Sequence, residues 1–332
     1  MRYATLCSGI ETPSVAWHDL GWQPVWFSEI EPFPKALLSH HYPNVPDLGD
    51  MTKIHNSKTY QNEPVDLICA GTPCQSFSLA GLRRGLDDPR GNLTLHFLRI
   101  LTERRPRWVV WENVPDIISS WSDEETDHEG RIWQTNDFDT FLAGLCEIGY
   151  SVAWRVLDAQ YFGLAQRRER LFVVGYFGAD WRPPYAVLSD PSCLSGNPAP
   201  RRREGPVAAA LTANGVGTCG ADDNQARAGH LVAGAVTAKW AKGTGGPSGD
   251  ECQNLVVGTL TDRSTGVRRL TPKECERLQG FPDDYTRIPY RGKAPEQCPD
   301  GPRYRAIGNA MPVPVIRWIG QKIKYVNKLL QL

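Results

Sequence analysis

The sequence has no Cys-x-x-Cys pair, and its nine cysteines are odd in number and scattered. That absence argues against a structural zinc and against a disulfide framework, and it suits a reducing cytoplasm. No apolar run is long enough to cross a bilayer. The start, Met1-Arg2-Tyr3-Ala4-Thr5-Leu6-Cys7, is too short and too polar for the apolar region of a secretory signal. Neither sign of charge is in excess, since Lys+Arg and Asp+Glu each total 37. A uniformly basic coat is thereby excluded, whereas local basic patches that attract phosphate are not.

What is present is an ordinary globular composition, 41% apolar over 332 residues. That length suits one large domain with a smaller one. The first half alternates short apolar runs with helical patterns. Residues 3–6, 24–27, 67–70, 108–111, 152–157 and 171–176 read as strands; residues 13–20, 33–41, 93–104 and 138–148 read as helices. Such alternation predicts a mostly parallel sheet with helices on both faces, an α/β fold.

The texture changes at about residue 179. Pro183, Pro184, Pro191, Pro198, Pro200 and Pro206 interrupt any regular element, and the basic run Arg201-Arg202-Arg203 lies among them. A weak repeat follows. Val207-Ala208-Ala209-Ala210-Leu211-Thr212-Ala213 is echoed by Val232-Ala233-Gly234-Ala235-Val236-Thr237-Ala238, and in part by Val256-Val257-Gly258-Thr259-Leu260-Thr261. Apolar-Thr segments joined by glycine turns predict repeated β structure. Helical patterning resumes at Thr271-Pro272-Lys273-Glu274, with Thr271 as N-cap, and ends in an amphipathic helix over residues 313–330.

Four constellations carry chemistry. Gly71-Thr72-Pro73-Cys74-Gln75-Ser76-Phe77-Ser78 follows the strand at residues 67–70 and presents a thiol at the carboxyl edge of the sheet. In open α/β folds that edge is where ligands bind. A thiolate there is a candidate nucleophile, although a strand-end cysteine is more often a small buried hydrophobe. Leu6-Cys7-Ser8-Gly9-Ile10-Glu11-Thr12-Pro13 is a tight turn into a helix, with Thr12 expected as N-cap and Pro13 at the first helical position. This turn lacks the full G-x-G-x-x-G fingerprint, which disfavours a dinucleotide site and a NAD-dependent oxidoreductase.

The third constellation is acidic. Phe27-Ser28-Glu29-Ile30-Glu31 follows the second strand, where a carboxylate is placed to accept both ribose hydroxyls of a nucleoside. Asp50 and Met51 offer an acceptor for an exocyclic amine and an apolar face for adenine. Glu112, in Trp111-Glu112-Asn113-Val114-Pro115, ends another strand and is expected near Cys74. The fourth is Gln166-Arg167-Arg168-Glu169-Arg170, in which alternation is expected to aim Arg168 and Arg170 the same way. The last three have bland alternatives, respectively an ordinary βα turn, a solvated acid and a solvated charge run.

Together, and in this order, these segments resemble the DNA (cytosine-5) methyltransferase family of bacterial or phage type over nearly the whole chain. Residues 71–81 look like its catalytic loop, Glu112-Asn113-Val114 like its cytosine-binding triplet, and Gln166-Arg167-Arg168-Glu169-Arg170 like its Gln-x-Arg-x-Arg element. Arg268-Arg269-Leu270-Thr271-Pro272, Arg277-Leu278-Gln279-Gly280-Phe281-Pro282 and Ala306-Ile307-Gly308-Asn309-Ala310-Met311 resemble its later motifs. The chain departs from the family at Glu11-Thr12, where paired glycines are frequent. It departs also at Thr72, where many relatives carry Phe, and at Met311, where a small aliphatic residue is common.

The resemblance implies a Rossmann-like S-adenosylmethionine-dependent methyltransferase domain at 1–180, completed by 305–332, and a smaller, loop- and β-rich target recognition domain at 181–304. It implies sequence-specific methylation of cytosine C5 through a covalent bond from Cys74 to C6 of a flipped base. Pro73, Glu112 and Asn113 would frame that base, Arg170 would meet its O2 edge and Arg168 would brace the site. The cofactor, released as S-adenosylhomocysteine, would be held by Cys7, Ser8, Gly9, Ile10, Thr12, Glu29, Ile30, Asp50, Met51, Leu93, Asn309 and Met311, with no metal. The loop over residues 76–95 would close on DNA, with Arg83 and Arg84 on phosphates. Arg201, Arg202, Arg203, Arg227, Lys239, Lys242 and Arg263 would serve recognition. The expected partner is double-stranded DNA, with a restriction endonuclease as a compatible second partner and no membrane. The expected state is a cytoplasmic monomer. A tRNA cytosine-5 methyltransferase and a non-catalytic DNA-binding relative remain as alternatives.

Overall fold

A computed structural model describes residues 1–73, 93–121, 125–126, 132–133, 136–189, 255–259 and 265–330. Cys74, most of the loop after it, the first two copies of the repeat and the basic residues assigned to recognition lie outside the described residues. The chain divides into two compact units. The first contains the described residues of Met1–Leu157, Glu169–Leu194 and Ile316–Leu332; the second contains those of Asp158–Arg168 and Ser195–Val315.

The first unit is built on a six-stranded sheet. Its strands are β1 (Arg2–Leu6), β2 (Gln23–Trp26), β3 (Leu67–Ala70), β4 (Trp108–Asn113), β7 (Tyr150–Asp158) and β8 (Glu169–Phe177). They lie in the order β2-β1-β3-β4-β8-β7. The pairs β1–β2, β1–β3 and β3–β4 are parallel, whereas β4–β8 is antiparallel. The central strands are apolar on both faces, as a sheet covered on both sides requires; every residue of β3 and β4 is buried. Two short strands, β5 (Glu125–Thr126) and β6 (Ile132–Trp133), pair separately.

The helices of this unit are α1 (Thr12–Trp17), α2 (Pro32–His41), α3 (Lys58–Asn62), α4 (Leu93–Arg104), α5 (Asp137–Ile148) and α6 (Arg182–Leu188). Local chemistry sets several of their ends. Asn136 Oδ1 accepts from the N–H groups of Phe138 and Asp139 to start α5, and Gly149, at φ 110°, ends it. Aromatic packing seats helices on the sheet: the rings of Trp111 and Phe141 are 4.3 Å apart, and those of Trp26 and Tyr60 5.8 Å. The start of α1 differs from the sequence expectation. Glu11 occupies the N-cap with φ 60°, so Thr12 is already helical and is not the cap.

In the second unit β9 (Leu255–Thr259) and β10 (Thr265–Arg269) form an antiparallel pair. The partial third copy of the repeat therefore enters a strand at Val256–Thr259 as expected. Helix α7 (Pro272–Gln279) carries the anticipated cap. Thr271 Oγ1 accepts the Glu274 N–H, and Glu274 accepts the Thr271 N–H in return, which makes a capping box. Helix α8 (Asp300–Asn309) packs within this unit, where Arg303 donates to Thr286 Oγ1 at 2.9 Å and pairs with buried Glu276 at 3.3 Å. The long helix α9 (Val313–Leu330) leads back into the first unit. There Trp17 Nε1 donates to the Ile316 carbonyl at 2.9 Å, and Gly320 leaves room for the Trp17 ring.

Candidate active site

Strand register decides which side chains share an edge. Leu6 lies beside Ala70, and Ala70 beside Trp111, so the carboxyl ends of β1, β3 and β4 align. Because β8 runs the other way, its first residues arrive at that same edge, with Leu171 opposite Asn113. The edge therefore collects the turn after Leu6, the loop root Gly71–Pro73, Glu112 with Asn113, and Arg170. This antiparallel strand lets an arginine enter from its amino end and meet an acid at the carboxyl end of its neighbour.

Arg170 Nε lies 3.2 Å from Glu112 Oε1, and both side chains are largely buried. A largely buried pair of this kind orients the carboxyl. Asn113 ties this strand end to the loop root. Its Nδ2 donates to the Thr72 carbonyl at 3.2 Å, while its Oδ1 accepts the Val114 N–H at 2.8 Å. Trp111 Nε1 donates to Thr72 Oγ1 at 2.8 Å. The residue two places before Cys74 is thus gripped twice by β4, and Pro73 next to it is exposed.

Arg168 departs from expectation. It precedes β8, is buried, and its Nη2 donates to the carbonyls of Gly308 and Ala310 at 3.0 and 2.9 Å. Its backbone N–H reaches Asp158 at 2.9 Å. The alternation rule needs both residues in one strand, and Arg168 lies outside it, so the two arginines have different partners. Arg168 holds the segment Gly308–Ala310, beside Asn309 and Met311. Gln166, in the same unit, donates to the Leu278 carbonyl.

The other edge residues form a second cluster. The turn after β1 has Cys7 at φ 51°, Gly9 at φ 55° and Glu11 at φ 60°, three left-handed residues in alternation. A side chain at Gly9 would touch nothing nearer than the Cys7 carbonyl at 4.0 Å, so this face is open. Ser8 joins the turn to the end of β2: its N–H donates to the Ser28 carbonyl at 3.1 Å, and the Ser28 N–H donates to Ser8 Oγ at 3.0 Å. Glu29 is oriented by three backbone donors, Gly9 to Oε2 at 2.6 Å and Ile30 and Glu31 to Oε1, both at 2.8 Å. Of about four acceptor positions on a carboxylate this leaves one. Glu29 thus has room for one hydroxyl, fewer than the two anticipated.

Ile30 is 65% exposed beside it, whereas Ile10, Thr12 and Met51 are buried, so Ile10 and Thr12 can offer a ligand only backbone. Asp50 accepts from the Thr52 N–H and hydroxyl, which with Lys53 outweigh its burial and lower its pKa. Burial, aided by Glu29 and Asp50, pushes the Cys7 thiol up to about 12. Burial likewise raises Cys69. Neither described thiol at this edge is a nucleophile near neutral pH. Among the described residues no group of three or more His, Cys, Asp and Glu side chains is arranged to hold a metal ion. No described helix is long and apolar enough to cross a membrane.

Sequence reading missed Glu11. It is fully buried, and its two oxygens accept from Thr5 Oγ1 at 2.8 Å and Ser14 Oγ at 2.9 Å. A signal was there: Thr5, Ser8, Glu11 and Ser14 recur at every third position. It also missed the Thr72–Trp111 bond, which no local pattern encodes.

Comparison with known proteins gives the family and the fold. The model of the C-5 cytosine-specific DNA methylase family matches residues 1–185 and 226–325. A protein of Escherichia phage P1 named DNA N-6-adenine-methyltransferase is 34% identical over 97% of this chain, which spans 61% of that protein's length. Type II methyltransferase M2.BsuMI of Bacillus subtilis is 29% identical, over 97% of this chain and 75% of its own. Among solved structures, the Dnmt2 methyltransferase of S. pombe superposes with a TM-score of 0.64 at 17% identity, covering 100% of both chains. A putative DNA modification methyltransferase from an E. coli prophage superposes with a TM-score of 0.56 at 18% identity, covering 99% of each. At those identities the likeness establishes the Rossmann-like α/β fold. By the match to its model over most of its length, the chain belongs to the C-5 cytosine-specific DNA methylase family.

Proposed function

We propose that the protein methylates C5 of cytosine at specific sites in double-stranded DNA, with Cys74 as nucleophile and S-adenosylmethionine as methyl donor. The observation that carries this reading is the Glu112–Arg170 pair at 3.2 Å, on the edge where β3 leads through Pro73 to Cys74. Cytosine C5 is too weak a nucleophile to accept a methyl group unaided. Attack of the Cys74 thiolate on C6 makes C5 an enamine-like carbon. Protonated Glu112 gives its proton to N3 as the thiolate adds to C6, and accepts from the N4 amine, while Arg170 holds Glu112 and meets the O2 edge. When methylation is complete, the C5 proton leaves and Cys74 is expelled. The target carbon is stacked inside a duplex, so the base is flipped out to reach it.

The cofactor supplies an electrophilic methyl on a sulfonium. The turn Cys7–Glu11 fits such a nucleoside-bearing ligand through the open face at Gly9, the one free acceptor position of Glu29 and the exposed side chain of Ile30. Ile10 and Thr12 offer backbone, and Ser8 braces the turn against the end of β2. Asp50, Met51 and Leu93 line the adenine end. Among the relatives are several named Type II methyltransferases, which supports a protective role beside a restriction endonuclease. A cytoplasmic monomer acting alone on DNA suits that role.

The test is bisulfite sequencing of DNA from cells expressing the wild type or Cys74→Ser. Protected cytosines in one sequence context, lost in Cys74→Ser, are expected. Methylation retained by Cys74→Ser would overturn the nucleophile. A second reading, methylation of adenine N6, rests on the printed name of the phage P1 relative. An exocyclic amine needs no covalent activation, so that reading leaves the cysteine frame idle. Mass spectrometry of nucleosides from the same DNA separates the two.

A further inference from the structure

A buried hydroxyl chain runs from Tyr3 through Glu11 to Ser8, the last two in the turn assigned to the cofactor. Tyr3 Oη and Ser14 Oγ are 2.7 Å apart, Ser14 Oγ donates to Glu11 Oε1, Thr5 Oγ1 donates to Glu11 Oε2, and Thr5 Oγ1 and Ser8 Oγ are 2.7 Å apart. Each hydroxyl has one hydrogen. With Glu11 ionised, Ser14 and Thr5 spend theirs on its carboxylate. Tyr3 must then donate to Ser14 and Ser8 to Thr5, so one charge fixes the direction of every bond in the chain. With Glu11 protonated, its hydrogen goes to Thr5, Thr5 donates to Ser8, and Ser8 donates to a carbonyl. Two carbonyls are in reach of Ser8 Oγ, Thr5 at 3.2 Å and Ser28 at 3.3 Å. The Ser8 branch is thus satisfied in both directions. The titratable groups facing Glu11 are Tyr3 on β1, Glu29 after β2 and Cys69 on β3.

We propose that Glu11 is a positioning residue of the cofactor turn, whose carboxylate sets the direction of this hydroxyl chain and gains or loses its proton according to the charge of the ligand that the turn binds. This rests on the assignment of the turn Cys7–Glu11 to the cofactor. A sulfonium ligand favours the ionised carboxylate, so its binding drives the proton off Glu11 into solvent. A thioether ligand lacks that charge and leaves the proton where it was. Burial pushes Glu11 up to about 7, with the Thr5 and Ser14 hydroxyls opposing, so the exchange falls near neutrality. The device favours donor over product as pH rises.

Calorimetry of the full chain in buffers of differing ionisation enthalpy, with S-adenosylmethionine and S-adenosylhomocysteine as probes, tests it. The wild type should release a fraction of a proton on binding the first, most of it near neutral pH, and less on binding the second. The affinity ratio of the two should rise about threefold across neutrality, as expected of one partly screened charge. Glu11→Gln should abolish the difference in protons and flatten the ratio. Ser14→Ala, which keeps the carboxyl but removes a donor that favours its charge, should move the release to higher pH and serves if Glu11→Gln does not fold. Equal proton release by wild type and Glu11→Gln at every pH, or a wild-type release unmoved in Ser14→Ala, would overturn the inference and leave the cofactor site standing. Failure of folded wild type to bind either probe would overturn the cofactor assignment and the inference with it.

Discussion

At the scale of single residues, Arg170 and Glu112 depend on each other because both are mostly removed from water. Deleting Arg170 removes the cation that orients the Glu112 carboxyl in a partly desolvated site. Arg170→Ala should therefore lower methyl transfer by about 10²- to 10⁴-fold while leaving S-adenosylhomocysteine affinity nearly unchanged. Single-turnover transfer to duplex DNA and equilibrium binding measure the two arms. Thr72→Val makes a different prediction. The indole N–H of buried Trp111 loses its acceptor, which should cost about 1–3 kcal/mol in urea unfolding. Glu11 adds a pH signature to stability. Its folded carboxyl titrates at about 7, above its ordinary value, so between the two the native state binds more protons than the unfolded one. Wild-type stability relative to Glu11→Gln should fall as pH rises from the usual carboxylate range to about 7, then stay level. Urea unfolding of both proteins across that range checks it.

At the scale of elements, legibility followed locality. The six strands of the sheet and the helix at Leu93–Arg104 were readable because apolar runs and helical periods are local, and Thr271 was readable as a cap because its partner Glu274 is three residues on. Thr12 was misread for an equally physical reason. A Thr-Pro pair is a good helix start, but the chain turns left-handed at Glu11, and the buried hydroxyls around that carboxyl outweigh the local preference. The strand-end acid Glu112 was legible, but its bond to Arg170 required knowing that β8 is antiparallel, which no window of sequence states. The separation of Arg168 from Arg170 was equally hidden, since the carbonyls Arg168 binds lie 140 and 142 residues away. Elements that meet at long range carry their own prediction. A methyl group at Gly320 would stand 2.3 Å from Trp17 Nε1, so Gly320→Ala should destabilise by about 1–3 kcal/mol in thermal or urea unfolding.

At the scale of the whole molecule, the resemblance to the family rests on several motifs spread through the chain rather than on any single one, and the family model matches residues 1–185 and 226–325. Cofactor binding should be felt by the fold that presents the turn. With S-adenosylhomocysteine at about a hundred times its dissociation constant, stability should rise by about 2.7 kcal/mol, read as a higher melting temperature. No shift would show that the turn does not hold this ligand.

The bond from Trp17 to the Ile316 carbonyl also sets a clock. The two residues are 299 apart, so Trp17 waits through roughly 15–60 s of synthesis for its partner at ordinary ribosomal speed. During that interval the emerging chain has its first helix but not the last, and the Trp17 indole N–H lacks its acceptor. A message cut short between Met311 and Ile316 would yield a polypeptide holding the motifs of the family without the clasp from Trp17. The cell would meet it as a target for proteolysis rather than as a methylase.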